Sequence, residues 1–161
     1  MAETIENILE RELNDIVKAI KNNITTSGKK ATGKTQKHIT SEVTGSANTA
    51  LYGFILAPDY IENLETGTPP TKNASFMEAN DLADELIDWA TAKNIQVDDM
   101  EMFLIRTAYK ILDFGSHDYR NKIFTNIFSK EIIQAQKEIP KKISSAYVNI
   151  FVNTLDQNLN K

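Results

Sequence analysis

Residues 28–35 read Gly-Lys-Lys-Ala-Thr-Gly-Lys-Thr and match the phosphate-binding pattern G-x-x-x-x-G-K-[ST] letter for letter. In a working nucleotide site the backbone amides of this loop cradle phosphates, Lys34 reaches the β/γ-phosphates and Thr35 holds Mg²⁺. That chemistry needs a buried apolar strand before the loop and a helix after it. Here an amphipathic helical pattern precedes the string, and residues 36–44 read as a polar strand. No later apolar run ends in a metal-holding aspartate, and no repeated β–α pattern exists to build a parallel sheet. The string therefore reads as a Gly/Lys/Thr-rich linker, with a small P-loop nucleotide-binding protein as the alternative.

The other reactive side chains are sparse. There is no cysteine, which excludes disulfides and thiolate metal sites, and the two histidines, His38 and His117, are far apart in the chain. Glu62 and Glu65 share a helix face, but no apolar cleft can be read around them, so they read as solvated acids. Asp81, Asp84, Glu85 and Asp88 line one helix face without the glycine-containing spacing of a calcium loop. Neither a catalytic group, a cofactor nor a metal is expected.

The elements that would position any site follow from periodicity. A chain of 161 residues predicts a single domain, 1–161, with enough length to bury a core. Ile5, Leu9, Leu13, Ile16, Ile20 and Ile24 recur at steps of three and four, joined by Ile8 and Val17, and predict an N-terminal helix stopped at Ser27-Gly28. Residues 28–37 read as a flexible basic linker. A polar strand over 38–44, with Ile39 and Val43 on one face, and an apolar strand over 49–57 form a hairpin around a four-residue loop, Gly45-Ser46-Ala47-Asn48. Pro58 reads as the first position of a short helix holding Tyr60, Ile61 and Leu64, ended by Gly67 and Pro69-Pro70.

Ser75 and Glu78 form a capping box that opens a helix to about Lys93, with Leu82, Leu86, Trp89 and Ala90 inward. Asp98 and Glu101 repeat the device for a helix closed by Gly115, after which His117 and Tyr119 read as loop residues. Residues 121–158 read as a C-terminal helical segment in which Pro140 either kinks one helix or starts a second. Residues 147–152 are β-branched enough to leave helix and strand both open. The class is α+β, with helices packed on a small antiparallel sheet. No run spans a bilayer and no signal-peptide core opens the chain.

Charge is segregated behind a net of −4. Lys29, Lys30, Lys34 and Lys37 crowd the linker without an acid, residues 78–101 hold eight acids against Lys93 alone, and residues 106–161 carry nine bases against five acids. Separation of this kind orients copies of a chain head-to-tail or steers a charged partner. No basic patch interleaved with aromatics marks a dedicated nucleic-acid binder.

One segment carries a resemblance. Residues 56–70, Leu-Ala-Pro-Asp-Tyr60-Ile-Glu-Asn-Leu-Glu65-Thr-Gly67-Thr68-Pro-Pro, resemble the tyrosine-then-Glu-x-Gly-[Thr/Arg] element of tail-completion and head–tail joining (neck) proteins of tailed bacteriophages. In that family an N-terminal helix leads to a hairpin, this turn, a helix with a tryptophan and a helix ending at glycine. Trp89 in Leu-Ile-Asp-Trp-Ala and Gly115 after residues 103–114 supply the later blocks. The match is most similar to proteins of phages infecting gut Bacteroidales, crAss-like phages included. It departs where the family often has glycine and this chain has Asn94, and in its compressed Thr68-Pro69-Pro70 loop.

The resemblance implies a non-enzymatic virion protein of the neck or tail, assembled in the host cytoplasm as a six- or twelve-fold homo-oligomeric ring. Its implied partners are the portal or an adaptor on one side and tail proteins on the other, without a membrane. It further implies that Tyr60, Glu65, Gly67 and Thr68 form a turn or subunit interface, with Glu65 capping the turn or pairing with a neighbouring subunit. Lys29, Lys30, Lys34 and Lys37 would form a mobile basic loop that comes transiently near packaged DNA. A helical protein-interaction module anchored by the N-terminal helix is a further alternative.

Overall fold

The computed structural model describes residues 4–30, 32–46, 50–71 and 73–159, with side chains described as far as Asn153. The chain is α+β. In order its elements are α1 (Ile5–Thr26), α2 (Lys34–Lys37), β1 (Thr40–Ser46), β2 (Ala50–Leu56), α3 (Ile61–Thr66), α4 (Phe76–Ala92), α5 (Met100–Phe114), α6 (His117–Asn121) and α7 (Ser129–Leu159). They fall into two compact units. One holds Met1–Asn23, His38–Ala57 and Phe128–Lys161, and the other Ile24–Lys37 and Pro58–Ile127.

In the first unit the apolar stripe of α1 is buried as its spacing predicts, except that Ile16 is half-buried. Ile5, Ile8, Leu9, Leu13, Val17 and Ile20 are all in the core. β1 and β2 pair antiparallel, with Thr40 opposite Leu56, Val43 opposite Gly53 and Ser46 opposite Ala50. Gly53 is where β2 meets α1: a Cβ there would stand 2.6 Å from Leu13 Cδ1 and 3.3 Å from Leu9 Cδ1. Only a residue without a side chain allows that approach. Ser41 Oγ donates to Asn14 Oδ1 at 2.9 Å and ties β1 to the same helix. The alternate residues Tyr52, Phe54 and Leu56 stay exposed.

The first strand runs further than the sequence suggests. Gly45 and Ser46 belong to β1, and of the expected loop Ala47 and Asn48 lie outside the described residues. α7 begins at Ser129, not near residue 121, and runs as one helix through Pro140. Residues 147–152 are helical. A strand needs a neighbour for its backbone groups, whereas a helix satisfies its own, so β-branched residues continuing a long helix stay in it. Glu131 Oε1 accepts from Asn23 Nδ2 at 3.2 Å, and Lys142 Nζ meets Glu12 Oε2 at 2.5 Å, fastening α7 to α1.

In the second unit α4 and α5 pack as a helical hairpin around Ala83, Ala90, Leu104 and Ala108, with Leu82, Leu86, Trp89 and Phe103 closing over them. Alanines at the seam let the helices approach closely, and the larger side chains wrap the sides. Ser75 caps α4 in a complete capping box: Glu78 N donates to Ser75 Oγ at 3.2 Å, and Ser75 N to Glu78 Oε2 at 2.6 Å. Ser75→Ala is expected to cost about 1 kcal/mol, read by chemical denaturation. The bonds from Ser75's backbone and side chain hold the Glu78 carboxyl below its ordinary value. Its contribution is present above the unfolded carboxyl's pKa and is lost as pH falls through the folded value, so Ser75→Ala also removes part of the acid dependence of stability.

α4 ends in a Schellman motif. Ile95 N donates to Ala90 O and Asn94 N to Thr91 O, each at 3.0 Å, with Asn94 left-handed at φ 52°. Asparagine tolerates that conformation better than most residues, so Asn94 does a glycine's work here. The cap of α5 is Asp99, whose Oδ1 accepts from Met102 N at 2.9 Å, rather than Asp98. Pro58 lies ahead of α3 instead of inside it, its carbonyl accepting from Ile61 N at 2.9 Å. The expected loop at His117 and Tyr119 is the short helix α6, capped by Ser116.

Candidate functional site

Both α3 and α5 end at a glycine in a backbone region essentially closed to other residues, with φ 79° and ψ 161° at Gly67 and φ 81° and ψ 169° at Gly115. The two glycines bring their following residues together. Thr68 N donates to Ser116 Oγ at 2.9 Å, and Ser116 N donates back to Thr68 O at 2.9 Å. Thr71 N adds a bond to Leu112 O at 2.7 Å. On the other flank Thr125 N donates to Glu65 O and Thr125 Oγ1 to Leu64 O, each at 3.1 Å. Residues 64–71 and 112–125 are thus clasped along their length.

Space in the clasp is fully used. A Cβ on Gly67 would lie 2.3 Å from Tyr119 N and 2.7 Å from Ser116 Oγ. A Cβ on Gly115 would lie 3.0 Å from Thr68 O and 2.6 Å from Tyr119 Cδ1. Glu65 is 7% exposed, the one buried charged residue among those described, and so is not the solvated acid the sequence suggests. Enclosure within its own chain speaks for a role in the turn rather than for pairing with a neighbouring subunit. Tyr60 stands apart from the clasp, half in solvent, with its hydroxyl 3.1 Å from Thr35 Oγ1. Of Tyr60, Glu65, Gly67 and Thr68, the last three therefore lie in one corner and Tyr60 lies outside it.

Gly115, Ser116, Tyr119 and Thr125 complete this corner although the sequence did not mark them as site residues. The available signal was the repeated glycine–hydroxyl step, Gly67-Thr68 and Gly115-Ser116, each directly after a helix.

The basic segment has defined partners. Lys34 pairs with Asp88 of α4, whose hydrogen bond and charge hold the ammonium above its ordinary value. Lys29 pairs with Asp118 of α6, and burial pushes its ammonium down. Lys93 Nζ donates to Gly28 O at 2.9 Å. Residues 34–37, expected within a flexible linker, form α2. Lys30 and Lys37 are exposed.

As chemistry, the arrangement is one of structural hydrogen bonds. Ser116 Oγ accepts from two backbone amides, Thr68 N and, at 3.4 Å, Tyr119 N, while His117 Nδ1 lies 3.2 Å from Asp118 Oδ1 in solvent. A helix precedes residues 28–35 where a phosphate loop has a strand, and Lys34 is turned to Asp88. Among the described residues no group of three His, Asp or Glu is arranged to hold a metal, and no helix is long and apolar enough to cross a membrane. The chain matches no family model, no curated protein and no solved structure.

Proposed function

We propose that this chain is a non-enzymatic virion protein of the neck or tail-completion type, forming a ring of six or twelve copies between the portal and the tail. The observation that carries the reading is the end of α7. Tyr147, Val148, Ile150, Phe151 and Val152 are 37 to 64% exposed within six consecutive residues. An apolar stretch of this density on a soluble chain marks a surface made to be covered by protein.

Two features agree with it. The elements follow the order the resemblance implies, from N-terminal helix through hairpin and Glu-x-Gly turn to the tryptophan helix and the glycine-ended helix. Acids concentrated on α4 and its following turn, with excess base from residue 106 onward, suit the heterologous contacts by which rings close. Lys30 and Lys37 lie free to approach packaged DNA without the dense basic surface that would hold it.

Native mass spectrometry at micromolar concentration, with and without Mg-ATP, tests the reading. A six- or twelve-fold mass with no nucleotide adduct is expected, unchanged by Lys34→Ala. A monomer carrying one Mg-ATP that Lys34→Ala removes would replace the ring with the P-loop alternative.

A further inference from the structure

An open groove of about 590 Å³ runs along α4 and α5. Ala83 and Leu104 form its floor, and Phe76, Ile87, Met100 and Ile105 its sides. Asp84 and Glu101 stand at its edge, and no described Lys or Arg pairs with either. Phe76 is 65% and Ile87 48% exposed, so this apolar channel is open along its length. On α4 the lining residues extend from Phe76 to Thr91, which at the helical rise of 1.5 Å per residue is roughly 22 Å.

We infer that the groove receives the α7 tail of a second copy of this chain. The inference rests on the ring reading above and names the contact that would close the ring. The tail fits in length: residues 143–155 are uncharged and, as helix, span roughly 18 Å. Ile143, Tyr147 and Phe151 lie four apart on one stripe, the spacing with which an amphipathic helix enters an apolar groove. The tail fits in charge as well. Lys137 leads into it, ahead of Lys141 and Lys142, which pair with Glu138 and Glu12 of their own chain, and the groove borders the acid-rich face of α4, where Asp81, Asp84 and Glu85 are exposed. Groove and tail are different surfaces, so each copy offers one and accepts the other, which is the head-to-tail arrangement that propagates to a ring. A third helix laid over α4 and α5 would cover side chains that a two-helix layer leaves in water.

Because the chain has no cysteine, single cysteines report the contact without background. Full-length Ile87→Cys and Phe151→Cys, both at exposed positions, are mixed and oxidised. The mixture is expected to yield roughly tenfold more disulfide dimer than either variant alone, and Phe151→Asp to weaken self-association by about tenfold or more while leaving helical circular dichroism intact. Equal dimer in all three samples, or none, overturns the docking, as does wild-type association by Phe151→Asp. A wild-type ring mass with a negative cross-link removes this interface and leaves the ring reading standing. A mixed-pair cross-link with a wild type that forms only closed pairs keeps the docking and removes the ring. A tail that cross-links only to another virion protein assigns the groove a different occupant and overturns the self-docking.

Discussion

Gly67→Val is expected to lower the thermal midpoint followed by Trp89 fluorescence by about 10 °C, a loss of about 3 kcal/mol at the ~2–4 °C per kcal/mol of a chain this size, and, on the ring reading proposed above, to abolish assembly. Two costs add. The backbone sits at φ 79° and ψ 161°, where a side chain alone costs on the order of 1–3 kcal/mol. The new Cβ then meets the backbone nitrogen of Tyr119 at 2.3 Å, and backbone does not swing aside as a side chain would. Gly28→Ala separates the two terms: φ there is also positive, at 72°, but nothing lies within 4 Å of the added carbon. It is expected to lose about 1 kcal/mol and to assemble normally. A wild-type midpoint and normal rings for Gly67→Val would remove the clasp as the organiser of the corner.

Ile39→Ala is expected to lose about 2–5 kcal/mol, and Ile39→Val about 0.5–1.5 kcal/mol, by urea denaturation with an unchanged slope. Ile39 is completely buried in the first unit, immediately ahead of β1, with strand residues Ser41 and Val43 following it on the inward side. Removing its branch leaves a cavity under the hairpin that a two-stranded sheet, resting on α1 through Gly53, is poorly able to refill. Equal midpoints for the alanine variant and the wild type would show that the hairpin does not depend on that anchor.

What the linear chain disclosed was governed by neighbours three and four residues apart. The α1 stripe, the Ser75–Glu78 box and the glycine stop at 115 are short-range devices, and each appears in the structure as its spacing predicts. The boundaries that moved lie where two local signals compete. Asp98 and Asp99 are adjacent cap candidates, and the cap bond goes to Asp99. The apolar residues from 123 to 128 carry helical spacing, but Lys122 turns left-handed at φ 52°, and Thr125 bonds residues 64 and 65 instead of continuing a helix.

The sequence by itself therefore determined the α+β class, the inward face of α1 and the glycine ends of α3 and α5, because helix periodicity and glycine stops are encoded within a few residues. Only the tertiary structure decided that Gly67 answers Gly115, that Lys29 and Lys34 are held by Asp118 and Asp88, and that α4 and α5 leave a groove. The glycine and lysine relations join residues about fifty to ninety positions apart. A backbone amide, a lysine or an aspartate has the same local signature whatever its distant partner, so the pairing is chosen when the core brings the segments together.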